Sequence, residues 1–287
     1  MVNNNGSGPI MNDGLKYLIE RAIAEDLAGG IDVTSHATIP ENQQSVAQFV
    51  NRQRGVIAGI PAAMEVLKYV GITDIHAPVT CAHETDSGTV ILEARGNTRS
   101  LLLAERTALN FLTHMSGIAT LTRRWVDAIS GTNCIVRDTR KTTPGWRELE
   151  KEAVRMGGGE NHRMSLSESV LIKDNHILAA GGVLEAFKAV KAQYPDMLIE
   201  VEVDTLDQLS LILTQSPDLV LLDNMSVAQC KEAVGIVQGK SKLEASGGLS
   251  LDNALAYAQT GVDYLAVGAL THSAQALDIG LDLRMEL

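Results

Sequence analysis

From about residue 130 the chain alternates short apolar runs with helix-like segments, and no other feature restricts the fold as much. The runs are CIVRDT (134–139), SVLIKD (169–174), LIEVEV (198–203), DLVLLD (218–223), KLEAS (242–246) and YLAVG (264–268). Segments with helical spacing lie between them, around 147–156, 182–193, 205–213, 226–237 and 250–260. Apolar strands separated by helices imply a parallel sheet covered by helices. Short strands with abrupt polar ends favour a barrel over an open sheet. Six such strands are countable, fewer than a complete (β/α)8 barrel has, so an incomplete or unusual barrel is expected.

The residues that end these strands give the first indication of function. In order they are Arg140 and Lys141, Lys173, Glu202, Asp223, Ser246-Gly247-Gly248, and Gly268. A parallel barrel gathers its site at the C-terminal ends of its strands. One mouth would therefore collect cations, two carboxylates and two glycine-bearing turns. One charged strand end is unremarkable, but solvation alone does not explain four charged ends together with two glycine turns.

The charge balance narrows the partner. The chain carries a formal net charge of −11 and has a pI of about 5.1, whereas a nucleic-acid binder should present a basic face. Residues 137–173 run against that balance: Arg137, Arg140, Lys141, Arg147, Lys151, Arg155, Arg163 and Lys173 outnumber the acids there. A local cationic cluster in an acidic protein points to a small, multiply anionic ligand. Arginine offers a planar fork to carboxylates and lysine a point charge to phosphates. Cys81, Cys134 and Cys230 form no CxxC pair and have no metal-ligand spacing with histidine, which fits a reducing compartment. The polar opening MVNNNGSGPIMNDG does not read as a secretory signal, and no apolar run is long enough for a transmembrane helix. A soluble cytoplasmic protein is expected, with neither nucleic acid nor membrane as partner.

Ahead of residue 130, Leu15, Leu18, Ile19, Ala22, Ile23 and Leu27 predict a helix over 13–28. VAQFVNR, GVIAGI and TVILEAR read as strands, and a helix begins near Pro61. This mixture without regular alternation points to a separate α+β domain. A long helical stretch follows from Ser100 to about Ser130, with a break or bend expected at Gly117.

Each candidate residue also has an ordinary reading. Glycine turns at 246–250 and 267–273 can hold a phosphate on free backbone N–H groups, or can simply be tight βα turns. Glu202 and Asp223 could hold Mg²⁺, bond a ribose or stabilise positive charge, or merely balance Lys141 and Lys173. Glu200 and Asp204 share Glu202's face of the strand. His162 follows three glycines and precedes Arg163, and a lone histidine is more often structural; the same holds for His176 and His272. Arg106 sits among apolar neighbours and, by spacing alone, reads as a surface or interface arginine paired with Glu105.

The motifs DTRKTTPG, GGGENHRM, VLIKDNH, EVEVDTL, LLDNM, EASGG and DYLAVGALTHSA, in this order, resemble the quinolinate phosphoribosyltransferase family. ERTALNFLTHMSGIAT resembles its helical segment before the barrel, and the likeness runs from about residue 15 to 285. The resemblance implies an N-terminal α/β sandwich domain and a C-terminal, incomplete α/β barrel of about seven strands. The corresponding boundaries are a flexible tail over 1–12, a first domain over 13–115 and a barrel over 116–287. It implies phosphoribosyl transfer from phosphoribosyl pyrophosphate to quinolinate with loss of CO2, giving nicotinate mononucleotide, with Mg²⁺ and no organic cofactor. It also implies a homodimer with shared sites, in which Arg106 reaches the partner's site.

By the same resemblance, Arg106, Thr139, Arg140, His162 and Arg163 match quinolinate-binding positions. Lys141 and Lys173 match positions near the phosphates and reacting centre, and Glu202 and Asp223 match the carboxylates near ribose and metal. Lys141, Glu202 and Asp223 would be catalytic. Ser246, Gly247, Gly248, Gly268 and Ala269 match the 5′-phosphate turns, followed by His272. The rival readings are a transferase of this architecture using another aromatic acid such as nicotinate, a barrel enzyme acting on another phosphorylated sugar, and a non-catalytic anion-binding protein.

Overall fold

The computed structural model describes residues 13–285, so the segment read as a tail over 1–12 lies outside the described residues. The elements in chain order begin with α1 (Asp13–Leu27), α2 (Val33–Thr38), β1 (Gln44–Asn51), β2 (Gly55–Val56), α3 (Ile60–Tyr69), β3 (Asp74–His76), β4 (Glu84–Thr85), β5 (Val90–Asn97) and α4 (Thr98–Ala128). They continue with β6 (Ile135–Arg137), α5 (Arg147–Met156), β7 (Val170–Ile172), α6 (Asp174–Ala180), α7 (Val183–Gln193), β8 (Ile199–Val203), α8 (Leu206–Ile212), β9 (Leu219–Asp223) and α9 (Val227–Val237). The chain closes with β10 (Lys242–Ser246), α10 (Leu251–Ala258), β11 (Tyr264–Ala266), α11 (Ala269–His272) and β12 (Ile279–Met285). No helix of the described residues is long and apolar enough to cross a membrane.

Two compact units divide these elements. The first takes the chain up to Thr120, Pro144–Gly157 and Ala274–Leu287; the second takes Leu121–Thr143 and Gly158–Ser273. In the first, an antiparallel sheet has the order β12-β1-β5-β3. Phe49 of β1 lies opposite Leu281 of β12 and Leu92 of β5. Ala47, Phe49, Leu92 and Ala94 are fully buried. Between those positions in β1, Gln48 turns to the other face and donates to Glu93 at 2.7 Å. Period-two alternation thus separates a core face from a polar one.

Gly117 does not break α4, contrary to the sequence expectation, because its role is spatial. A Cβ there would lie 2.3 Å from the carbonyl oxygen of Gln275. Glycine lets the 274–277 segment lie against the helix, where Leu277 N–H donates to Thr113 O at 2.9 Å. Farther along the same helix, Phe111 stacks on Trp146 with centroids 4.8 Å apart. His114 also bonds the fully buried Glu150 at 2.9 Å.

The second unit is built on a parallel sheet of order β6-β11-β10-β9-β8-β7. A single parallel bridge from Arg137 to Glu160 adds a rudimentary further strand beside β6, giving the incomplete α/β barrel. Register aligns the C-terminal ends: Arg137 faces Ala266, Ala266 faces Ser246, and Ser246 faces Asp223. Val136, Val201, Val203, Val220, Leu243 and Ala245 are buried. The intervening positions Arg137, Glu200, Glu202 and Glu244 carry charge, so one face of the sheet is apolar and the other sets these charges among Leu171 and Leu221. Side chains cap the covering helices. Ser226 accepts from Gln229 N–H at the start of α9, and Thr205 accepts from Gln208 N–H at the start of α8.

Candidate active site

The strand ends of the second unit bring most of the candidate residues into electrostatic reach of one another. Arg140 and Arg163 form the cationic part. Burial, and then the like charge of Arg140, hold the Arg163 guanidinium below the usual arginine range. Nη1 of Arg163 donates to Ser169 O at 2.8 Å, which fixes its direction. Nε of Arg140 is buried with no hydrogen-bond partner among the described residues. Two guanidiniums that repel each other, one with an unsatisfied buried N–H, are arranged for an anion. Thr139 accepts from Lys141 N–H at 3.0 Å, which shapes the turn that carries Arg140.

A second group carries both signs. Lys173 Nζ lies 3.5 Å from Glu202 Oε2. Burial raises the Glu202 carboxyl above its usual range, Lys173 opposes the shift, and Asp223 adds to it. Asp223 is raised by burial and by Asp204, against a hydrogen bond from Asn224 and the charges of Lys173 and Lys141. Asp223 therefore disfavours ionisation of Glu202, and Asp204 that of Asp223, and a cation held near these carboxylates would relieve both.

The glycine turns stand beside these groups. Gly247 has φ +83°, and a Cβ there would fall 2.1 Å from Asn224 Oδ1. Gly248 also has positive φ and is open on its Cβ side, so backbone is exposed between β10 and α10. At Gly268 a Cβ would meet Lys141 Cδ at 3.0 Å and His272 Nε2 at 3.2 Å, so both side chains converge on the turn after β11. Thr271 Oγ1 donates to Lys141 O at 2.8 Å, tying that turn to the one after β6.

His162 lies one layer deeper. Its Nδ1 accepts from Arg163 N–H at 2.8 Å and its Nε2 lies 2.7 Å from Glu200 Oε2. Glu244 Oε1 is 3.6 Å from the same nitrogen, and Glu244 Oε2 accepts from Arg137 Nη1 at 2.9 Å. In the sequence Glu200 is marked only by sharing a face with Glu202, and Glu244 is marked by no motif. The available signal was a carboxylate in the middle of an otherwise apolar buried strand. Arg106 belongs to the first unit, exposed on α4, and forms no ion pair among the described residues, Glu105 included.

Residues 118–282 match the C-terminal domain of quinolinate phosphoribosyl transferase, and residues 32–116 match its N-terminal domain. The chain belongs to the quinolinate phosphoribosyl transferase family. It is 50% identical over 277 residues to the carboxylating nicotinate-nucleotide pyrophosphorylase of Mycobacterium leprae, covering 94% of this chain and 98% of that protein. It is 39% identical to the mitochondrial decarboxylating quinolinate phosphoribosyltransferase 2b of Nicotiana tabacum, covering 95% of this chain and 83% of that one. The crystal structure of nicotinate-nucleotide pyrophosphorylase from Ehrlichia chaffeensis superposes with a TM-score of 0.90 at 38% identity, covering 94% and 98% of the two chains.

Proposed function

We infer that this chain transfers a phosphoribosyl group from phosphoribosyl pyrophosphate to quinolinate, with decarboxylation, giving nicotinate mononucleotide, pyrophosphate and CO2. This is the quinolinate step of de novo NAD biosynthesis. The observation that carries the reading is the Arg140–Arg163 pair, two like charges in a partly buried setting with an unpartnered N–H on Arg140. A pyridine dicarboxylate offers one carboxylate to each guanidinium. Nicotinate, with a single carboxylate, would leave one cation without its counter-charge, which disfavours that rival.

Phosphoribosyl pyrophosphate falls to the groups around the remaining strand ends. Ser246, Gly247, Gly248, Gly268 and Ala269 offer backbone and hydroxyl donors to the 5′-phosphate, with His272 beside them. Lys141 and Lys173 offer point charges to the diphosphate. As the C1–oxygen bond to pyrophosphate breaks, positive charge develops on the ribose ring, and Glu202 and Asp223 are the carboxylates suited to stabilise it. The pyridine nitrogen gives its lone pair to C1. The C2–carboxylate bond then breaks, its electron pair staying on C2 beside the cationic nitrogen, and C2 takes up a proton as CO2 leaves.

The donor set of Glu202 and Asp223 suits Mg²⁺ brought in with the diphosphate, since both are hard oxygen donors and a cation relieves the repulsion that Asp223 exerts on Glu202. When bound, the ion supplies positive charge to the departing pyrophosphate. No organic cofactor is required by this chemistry. We assign a homodimer in which Arg106 of the partner subunit completes each quinolinate pocket. Association is supported by the exposed apolar side chains Tyr17, Ile31 and Val33 of the first unit. A reducing, cytoplasmic setting is supported by three unpaired cysteines. Burial pushes the thiol of Cys134 up to about 12 and that of Cys230 up to about 11.

The test is a mass-spectrometric assay with phosphoribosyl pyrophosphate and Mg²⁺, offering quinolinate and nicotinate in parallel. Nicotinate mononucleotide and CO2 from quinolinate alone is the expected result. Product from nicotinate alone would overturn the pocket assignment, and no product from either would overturn the activity.

A further inference from the structure

A buried chain of polar groups leads away from Arg163 through His162, and beyond His162 none of its members has a role in the proposed reaction. The ring of Tyr264 lies under the Arg137 guanidinium, 4.2 Å from centroid to carbon. Arg137 bonds Glu244 at 2.9 Å. Glu244 lies 3.6 Å from His162 Nε2, and His162 Nε2 bonds Glu200 at 2.7 Å. Glu244 is fully buried, and Glu200 and His162 nearly so. Four strands, β6, β8, β10 and β11, and the loop after the triple glycine thus contribute to one buried network around His162.

The hydrogen bonds fix the state of that imidazole. A backbone N–H can only donate, so Nδ1 of His162 accepts from Arg163 and carries no proton. The ring proton is then on Nε2, where it donates to Glu200. His162, Glu200 and Glu244 bring ligand atoms within 4.8 Å of one another, as a metal site does. A protonated Nε2 has no lone pair for a metal, however, so the cluster is a hydrogen-bond network. It is also anchored from below, because Asp138 Oδ1 accepts from His162 N–H at 2.9 Å.

We propose that Glu200 is a positioning residue for quinolinate: it fixes the ring of His162, and through that ring the backbone from which Arg163 projects. The proposal rests on the quinolinate reading of Arg140 and Arg163. Rotating the ring in the absence of Glu200 would remove the acceptor for Arg163 N–H and put an N–H against it. The guanidinium would lose its placement beside Arg140, while Lys141, Lys173 and the glycine turns would keep theirs. The consequence is selective. Quinolinate binding suffers, and phosphoribosyl pyrophosphate binding does not.

The test uses the full-length chain with Glu200→Met, which fills the space without an acceptor, and Glu200→Gln, whose amide oxygen can still accept from Nε2–H. Glu200→Met should raise the quinolinate KM roughly tenfold, with the phosphoribosyl pyrophosphate KM and kcat nearly unchanged. Glu200→Gln should stay close to wild type. Nitrogen-15 spectra of the ring, assigned against His162→Asn, should show the Nε2–H tautomer in wild type and Glu200→Gln. An unchanged quinolinate KM in Glu200→Met would overturn the proposal. So would an equal rise in both KM values, a Glu200→Gln variant as impaired as Glu200→Met, or an Nδ1–H tautomer in wild type. If Glu200→Met does not fold, Glu200→Gln and the wild-type tautomer still decide. A wild-type chain that consumes no quinolinate would instead sink the functional reading, and the tautomer would still test the placement of the ring.

Discussion

Arg140 and Glu202 should separate binding from chemistry at the scale of single residues. Arg140 has an unpartnered buried N–H and is a proposed quinolinate ligand, so Arg140→Ala should raise the quinolinate KM by roughly a hundredfold, the loss of a charge-assisted bidentate pair. Glu202 is proposed to stabilise charge as it develops, so Glu202→Ala should lower kcat far more than it raises that KM. Steady-state kinetics on both variants checks this, and wild-type-like quinolinate affinity in Arg140→Ala would contradict it. Glu244 makes a prediction about stability. Burial, and then the charge of Glu200, push its carboxyl up to about 7, with Arg137 opposing the shift. Below an ordinary glutamate's 4.5 it is protonated in both the folded and unfolded chain and costs nothing. As pH rises toward 7 the unfolded chain releases the proton first, so folding stability falls through that window. Glu244→Gln should flatten the fall in Tm between those limits without abolishing it, because Glu200 is raised as well. An unchanged slope would contradict the assignment. The residues at strand ends were legible in the sequence because charge and glycine interrupt apolar runs there. Glu200 and Glu244 were not, because the alternation that puts a strand residue on the charge-bearing face does not say which partner waits for it.

Gly117 shows what the sequence conveys and withholds at the scale of elements. A glycine in the middle of a long helical pattern reads as a break, since it costs about 1 kcal/mol against alanine. Here α4 continues through it without a break, and the glycine makes room for the chain that crosses at Gln275. Gly117→Ala should therefore lower stability by roughly 2 kcal/mol, although alanine is the better helix former. Urea unfolding of the full-length chain measures this, and a gain in stability would show that the crossing segment gives way freely. The strands of the parallel sheet were legible to within a residue or two, since buried β-branched runs between turns leave little choice. β12 escaped notice. Its alternation of Ile279, Leu281 and Leu283 is short, and its pairing partner β1 lies more than two hundred residues earlier. Long-range pairing of that kind leaves no local mark on the sequence.

Arg106 raises a question that belongs to the molecule as a whole. It stands exposed in the first unit, while the other proposed quinolinate ligands belong to the second. If each pocket takes its Arg106 from the partner subunit, the site is a property of the dimer, and two defective chains can make one good site between them. Arg106→Ala and Arg140→Ala should each be nearly inactive at low quinolinate. In a mixed dimer one pocket would carry both defects, and the other would carry neither. After subunit exchange of an equimolar mixture, half of the dimers are mixed, so activity should recover to about a quarter of wild type. Mixing without exchange should recover nothing, which controls for simple addition of residual rates. Failure to recover after proven exchange would mean that Arg106 serves its own chain or none, and the shared-site proposal would fall while the reaction assigned to the barrel stood. A quarter recovery would make association a condition of quinolinate binding, so that dilution below the dimer's dissociation constant should raise the quinolinate KM along with the loss of dimer.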